Sequence, residues 1–567
     1  MKIKNSLIKN SIFIALFSYW ILLLLGSSLS LPIVVIPDEE AQLLNIYGLI
    51  YNSTFKLPYE SYYSVWIHYA LVPFTLFYWF IEYFLMGMPS LLEFKTHVAA
   101  NYLDVLPTLR MVSSSLFLLS AWLVSKVIED RWELRTANLF LLFMVLDLLM
   151  FINLHYSKHW IIDFSWLFIS IYLYWKYLRN TKKIFLIFAG ITFSVAVLSS
   201  HPLIVGIFAH FYLFMSNKGG VRDFIKDASF TFIIFLLIFL LTLWLGPGTV
   251  ISDLLYGQFG GKILSGISLN IISDSILTLF DYNFILTTLL IFSLIYMVLK
   301  RDLEIFLLFI PFIIYLLLIS TYHFETRYIL FLTICMSLIC AISISKISKR
   351  RTFNCLVGLL VLVNFSLLLT WHQIIIKKDT RQIAYEWIDR NTTNSSFVIY
   401  NTLSFNYKPQ STKGINFIKK NFPKAMGTRE NLHLSLELPD GVNGIILRKI
   451  EEANYSGPKL IRRLIDSGFD PILTNERFGK DAIHFQSSDE TFKNILINCL
   501  YSTQLIYKPY SRSLKAALWG NTAKNFESYG DILYNFTSVI KSLIVLDRPG
   551  PTISIYFFPK NQPSSCS

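Results

Sequence analysis

Three carboxylates stand side by side in Pro37-Asp38-Glu39-Glu40-Ala41-Gln42, just after the first long apolar run. Adjacent ionised acids repel one another, which raises one of their pKa values toward a range useful to a general base. The same residues also have an ordinary structural use. Asp38 can cap a helix over Glu39 to Tyr51, and Glu39 and Glu40 then favour its N-terminal dipole. The two uses are compatible.

A second cluster, His155-Tyr156-Ser157-Lys158-His159-Trp160 with Asp163, is dense in hydrogen-bond donors and places Asp163 where the next apolar run begins. The plain alternative is an interfacial belt in which Lys158 or His159 neutralises Asp163. His155 and His159 share a helical face, yet no third ligand is assigned, so no metal site is expected. The third cluster is Tyr322-His323-Phe324-Glu325-Thr326-Arg327-Tyr328. Arg327 is suited to bidentate phosphate binding, with an ion pair to Glu325 or to an upstream acid as the competing account. Arg110 and His201 stand at the ends of other apolar runs, and Asp147 lies inside one, where an acid ordinarily faces a polar cavity.

The elements that must position these residues are membrane helices. The chain has 567 residues, 54% apolar and 16% aromatic, above the apolar share of ordinary soluble domains. Eleven runs read as spans: Ser11 to Ile33, Leu106 to Val124, Ala137 to Leu154, Phe164 to Trp175, Ile184 to Ser199, Leu203 to Met215, Phe230 to Leu245, Phe284 to Leu299, Ile305 to Ser320, Ile329 to Ser345 and Asn354 to Trp371. Several fall short of the roughly 20 residues of a straight span and must borrow interfacial residues at their ends. The first is too long for a signal-peptide core and reads as a retained anchor.

Charge sets the orientation. One set of alternate loops carries nineteen Lys and Arg residues, from Lys2, Lys4 and Lys9 through to Arg350 and Arg351, while the other set carries six: Lys56, Lys95, Arg110, Lys158, Lys262 and Arg327. The excess marks the cytoplasmic side, so the N-terminus is expected inside and all three clusters outside. If the aromatic stretch Trp66 to Gly87 crossed as well, every later basic cluster would face outward. It is therefore expected to lie at the outer interface as an amphipathic helix. The outer segment Gly246 to Asn283 is punctuated by glycines and reads as a mobile loop.

After Trp371 the character changes. Residues 1–372 form the membrane domain, with a first outer loop over 34–105, and residues 373–567 contain no run long enough to cross a bilayer. Helices are expected at Asp379 to Asp389, Pro458 to Ser467 and Glu490 to Tyr501, and strands at Phe397 to Tyr400, Gly444 to Leu447 and Thr552 to Phe558. That makes a small extracytoplasmic α/β domain. The net charge of +13 is scattered among acids and excludes a nucleic-acid interface. Of five cysteines, Cys335, Cys340 and Cys355 fall within spans; Cys499 and Cys566 can pair or remain thiols.

In order and topology these features resemble the GT-C class of membrane glycosyltransferases, in particular the protein O-mannosyltransferase and aminoarabinose-transferase branch. The resemblance is carried by the pair Asp38-Glu39 directly after the first span and by an interface helix before the second. Arg110 opens "RMVSSSL", similar to an "RLxSxL" segment; "HYSKHWIID" stands where relatives place a second acid, and "ETRYIL" is similar to "RYLLP". It runs over roughly Phe13 to Leu369. "PDEEAQ" also resembles the "HPDExxQ" of mannosyltransferases that extend lipid-linked glycans and membrane anchors, with Ile36 in place of the histidine. The WWDYG signature of oligosaccharyltransferases is absent, and the first loop has no DxD.

The resemblance implies an all-α polytopic GT-C-like domain of about eleven spans with an outer juxtamembrane helix, followed by the soluble domain. It implies inverting transfer of one sugar from a polyprenyl-phosphate donor to an acceptor hydroxyl of a protein, lipid or glycan at the outer face of the plasma membrane, or of the ER membrane in a eukaryote. Asp38 would be the base, tuned by Glu39. Asp163 and Glu40 would serve as second acids on the acceptor side, and Arg327, Lys158, His159 and Arg110 would bind the donor phosphate. No metal or other cofactor is required. The Gly246 to Asn283 loop would gate the lipid carrier, a structural connector being the alternative. Competing functions are a polyprenyl-lipid transporter or flippase, which calls for internal repeats and broken helices, and an inactive assembly subunit.

Overall fold

The computed structural model describes residues 15–28, 37–57, 65–87, 90–101, 103–217, 221–246, 266–321, 326–347, 350–401, 411–426, 441–477, 501–507 and 552–558, with short pieces at 430–434 and 492–499. The membrane half is a succession of helices: α1 (Ala15–Gly26), α2 (Pro37–Tyr51), α3 (Val65–Met86), α4 (Leu91–Ala100), α5 (Leu106–Arg131), α6 (Leu134–Val145), α7 (Leu148–Leu154), α8 (His159–Asn180), α9 (Lys183–Ser199), α10 (Ile207–Ser216), α11 (Val221–Leu245), α12 (Leu269–Lys300), α13 (Leu303–Ile319), α14 (Leu330–Ser345) and α15 (Arg350–Ile375).

The described part of each of the eleven expected runs falls largely in this series. Helices α5, α11 and α12, and the stretch Thr352–Asn391 that takes in most of α15, are each long and apolar enough to cross a bilayer. Helices α6 and α7 do so as one path bent by 65°. Helices α1, α9, α13 and α14, and the stretch His201–Ser216 containing α10, are shorter apolar helices; α8, with 22 residues, carries Asp163, Lys176 and Arg179. The core runs through α7, α8 and α14, where Met150, Phe151, Ile161, Phe164, Leu332 and Ile339 are wholly buried. Helices α11 and α12 turn Phe232, Leu237, Phe292 and Leu299 outward, as lipid-facing helices do.

Helix α3 also passes the length and hydropathy test for a span, but its partners place it across one end of the bundle. Trp66 donates from Nε1 to Thr242 Oγ1 near the end of α11, at 2.9 Å. Ile67 and Leu71 pack with Leu106, Leu109 and Ile162, Trp79 with Tyr47 and Val98, and Glu82 pairs with His97 of α4 at 3.1 Å. A crossing helix would meet both ends of its neighbours; these contacts belong to one. The exposed Phe77, Phe80, Phe84 and Leu85 suit the acyl boundary.

The expected loop is corrected: the segment up to Asn283 is helical from Leu269, and its glycine-rich stretch at 247–265 lies outside the described residues. Helix α15 continues to Ile375.

The second half holds α16 (Thr380–Asn391), β1 (Ser396–Asn401), α17 (Thr412–Asn421), β2 (Asn443–Ile446), α18 (Leu447–Glu452), α19 (Gly457–Asp466), β3 (Asp470–Arg477), β4 (Ser502–Tyr507) and β5 (Thr552–Phe557). Strands lie in the order β2-β1-β3-β5-β4, the first three parallel and β5 antiparallel to both of its neighbours, β3 and β4. Alternation divides the faces: Phe397, Ile399 and Leu473 pack with Ile418, Leu460 and Leu464, and Val398, Tyr400, Ile472 and Ile555 pack with Ala384 and Ile388 of α16. Buried Arg381 and Asp379 form a bidentate pair at the start of α16. Cys499 is disulfide-bonded, to a residue outside the described set.

Candidate functional site at the head of the bundle

The acidic segment lies in the first turn of α2, which begins at Pro37. The expected cap is corrected, since Asp38 falls inside the helix and not before it, while Glu39 and Glu40 keep the first-turn position that favours the helix dipole. The side chains of Asp38 and Glu40 lie outside the described set, whereas Glu39 points inward and is 1% exposed. Its Oε1 accepts from Arg110 Nε at 3.0 Å and from the Ser157 backbone N–H at 2.7 Å, and its Oε2 accepts from Arg110 Nη2 at 2.7 Å. Arg110 Nη1 donates to the Ser27 carbonyl oxygen at 2.9 Å. One carboxylate thus ties the start of α2, the first turns of α5 and the connector between α7 and α8. The guanidinium in turn holds the end of α1. A buried charge persists only when paired and hydrogen-bonded, and Glu39 and Arg110 satisfy that condition for each other.

Tyr156 packs beside this pair. Arg110 lies 5.7 Å and Lys158 Nζ 5.9 Å from its ring centroid, within cation–π reach. Lys158 is wholly buried and precedes the first turn of α8. His159 follows it, 4% exposed, with its ring against Trp160. Trp160 meets Tyr328 edge-on at 5.2 Å, which docks the 3₁₀ segment Thr326–Ile329 and the backbone of Arg327 beside the second cluster. The Arg327 side chain is outside the described set.

Asp163, one turn below His159, is 1% exposed, and neither carboxylate oxygen has a hydrogen-bond partner; Ser199 faces it outside hydrogen-bond geometry. A desolvated acid without a partner is costly unless something else compensates it. Glu39, Arg110, Lys158, His159 and Asp163 therefore gather at one end of the bundle, with the backbones of Asp38 and Arg327 beside them.

His155 stands apart from that group. Its Nδ1 lies 2.8 Å from the Phe151 carbonyl oxygen, and its ring packs among Phe151, Trp371 and His372. Burial, opposed by the Phe151 carbonyl, holds its pKa down to about 3. It is a neutral packing residue.

Sequence reasoning missed Tyr156 as the ring shared by two cations, the Ser157 N–H and the Ser27 carbonyl as ligands of the ion pair, and Asp281. Asp281, on α12, is 2% exposed with neither oxygen partnered. Its signal was an acid two residues before Asn283, in a segment expected to be a loop. Among the described residues no group of three or more His, Cys, Asp or Glu side chains is placed to hold a metal ion.

No protein-family model and no curated protein matches the sequence. Solved structures are similar to it at TM-scores below 0.5. ArnT from Cupriavidus metallidurans bound to undecaprenyl phosphate gives a TM-score of 0.49 at 9% identity, over 87% of this chain and 95% of that one. The Archaeoglobus fulgidus oligosaccharyltransferase gives 0.42 in its apo form at 10% identity, over 96% and 88%. As AglB in complex with an inhibitory peptide and a dolichol-phosphate it gives 0.38 at 10% identity, over the same shares. ArnT and AglB are both GT-C glycosyltransferases, the class that the sequence motifs resemble. At these scores and identities neither a fold assignment nor a residue role is taken from the likeness.

Proposed function

We propose that the chain is a membrane glycosyltransferase that moves a sugar from a polyprenyl-phosphate donor to an acceptor hydroxyl, with inversion, at the outer face of the membrane. The observation that carries the reading is the gathering of acids and cations at the head of an apolar helical bundle, built around the Glu39–Arg110–Ser157 framework. The acceptor oxygen attacks the anomeric carbon as its bond to the phosphate oxygen breaks. The phosphate leaves with the bonding electron pair, and the acceptor proton passes to a carboxylate.

Asp38 is the base, a role worth roughly 10² to 10⁴ in rate. The leaving phosphate needs fixed positive charge more than a proton, which Arg327, Lys158 and His159 supply. Arg110, whose Nε and Nη2 donate to Glu39 and whose Nη1 donates to the Ser27 carbonyl oxygen, acts by holding Glu39 and hence the helix end that bears Asp38. Asp163 and Glu40 serve the acceptor side. The scheme requires no bound metal.

One observation favours a second reading, a polyprenyl-lipid transporter. Such proteins use broken helices with polar groups at mid-depth, and both the α6–α7 path and α12 are broken, with Asp147 and Asn283 at the breaks. Purified protein given a panel of polyprenyl-phosphate sugars separates the two. Released polyprenyl phosphate that depends on Asp38 supports transfer. Turnover unaffected by Asp38→Asn removes the mechanism, and no turnover with any donor favours transport.

A further inference from the structure

We propose that Asp147 and Asn283 form a clamp between two broken helices, which sets the position of α7 and, through it, of the Tyr156–Lys158 segment that holds Glu39. The breaks lie far apart in sequence. The first separates α6 from α7 at a 65° bend. The second is at Asn283 in α12, where φ −138° and ψ 49° leave the helical region.

A break in an apolar helix frees backbone groups that must find other partners. At the first break Asp147 Oδ1 accepts the Met150 N–H at 2.8 Å, capping α7. At the second, the Thr287 hydroxyl donates to the Leu279 carbonyl oxygen at 2.9 Å. Asn283 Nδ2 then donates to Asp147 Oδ2 at 2.8 Å, across 136 residues of chain. Each oxygen of one carboxylate therefore serves a different break. Both residues are 1% exposed. A carboxylate in such surroundings is tolerated only while its hydrogen bonds last, so displacing either helix strips the other of a partner.

Helix α7 transmits the constraint. It has seven residues, all buried, and leads through His155 and Tyr156 to Ser157, whose N–H lies 2.7 Å from Glu39. Little slack exists between the clamp and that bond. A plain capping role for Asp147 would use one oxygen and leave α12 uninvolved; the Asn283 bond distinguishes the two. The catalytic consequence rests on the proposed glycosyl transfer, where a misplacement of about 1 Å costs on the order of 10² in rate. The placement of the segment does not depend on that reading.

Three variants of the full-length protein in detergent test the clamp. Asn283→Ala removes the inter-helix bond and leaves the cap. Asp147→Ala removes both. Asp147→Asn can keep both, because its amide oxygen accepts from Met150 and its amide nitrogen can donate to Asn283 Oδ1, which has no partner. Hydrogen exchange of a peptide covering Phe151 to Ile161 is measured together with kcat and KM for polyprenyl phosphate release.

Faster exchange in that peptide and a kcat lowered by about tenfold or more, with donor KM little changed, are expected for Asn283→Ala and Asp147→Ala, with rescue in Asp147→Asn. Asn283→Ala keeps the test decisive if Asp147→Ala fails to fold. Wild-type exchange in folded Asn283→Ala overturns the clamp, and faster exchange with unchanged kcat overturns its positioning role. If wild type turns over no donor, glycosyl transfer fails as a reading while the exchange comparison still decides the clamp.

Discussion

Replacing Arg110 by methionine separates a residue that binds donor phosphate from one that holds the site together. In the wild type the Glu39 carboxylate accepts three N–H groups, two from Arg110 at 3.0 and 2.7 Å and one from Ser157 at 2.7 Å. The substitution removes two of them and the compensating charge, leaving a carboxylate 1% exposed with a single donor. Removing one partner of a buried pair costs about 3–5 kcal/mol, roughly a 10²- to 10⁴-fold change in the folding equilibrium; an exposed pair would cost under about 1 kcal/mol. Replacing both partners by apolar residues of similar size relieves most of that penalty, because no unpaired charge remains.

The assay is reversible unfolding in mixed SDS micelles followed by tryptophan fluorescence, run on wild type, Arg110→Met, Glu39→Met and the double variant. The single variants should be destabilised by about 3–5 kcal/mol each. The double should lie much closer to wild type, with strong non-additivity for residues in contact. Donor KM measured on the double variant completes the test: with a holding role it stays near wild type, and with direct phosphate binding it rises although the fold is restored. Additive single effects, or an Arg110→Met loss under about 1 kcal/mol, would refute the buried-pair reasoning.

Other expectations follow from the same region. Asp38→Asn should lower turnover by roughly 10² to 10⁴ without shifting the melting temperature, checked by polyprenyl phosphate release and thermal unfolding. A Cβ at Gly26 would stand 2.4 Å from His155 Cδ2 and 2.5 Å from its Nε2, so Gly26→Ala should destabilise the protein by about 1–3 kcal/mol, and His155→Ala should relieve the clash. His155 has a folded pKa of about 3 against an ordinary 6.5. The unfolded chain therefore binds more protons between those values, and stability should fall as pH drops below about 6.5, by up to about 1.4 kcal/mol per unit; His155→Gln should flatten that slope in unfolding titrations. In the second domain, wholly buried Leu464 should cost about 2–5 kcal/mol when cut to alanine, read by chemical denaturation.

How much of this was legible in the sequence depends on the range of the interaction. Apolar runs are local signals, and the described part of each of the eleven is largely helical; β1, β2 and β5 were equally plain, since their alternating faces are written in consecutive residues. Strand β3 was missed because Asp470, Pro471 and Asn475 dilute its apolar face, and its place between β1 and β5 is settled by pairing with segments far away in the chain. The site shows the same division. That Asp38, Glu39 and Arg110 flank spans could be read locally, but the bidentate pairing of Glu39 with Arg110 across 71 residues could not.

The helix breaks carry the point furthest. Neither has a proline or glycine to mark it: the residues are Leu146-Asp147 and Asn283. In an isolated apolar helix Asn283 would cost little as an ordinary interior residue, and nothing local calls for a bend. The bend becomes favourable once a second break offers a buried carboxylate, because an unpaired acid in that setting is far more costly than one interrupted helical turn. Asp147 was conspicuous as an intramembrane acid; its partner was not, since an asparagine becomes informative only beside an acid that needs a donor. The pairing of the two is what makes an α12 displacement costly to α7, and so to the Ser157 N–H that holds Glu39.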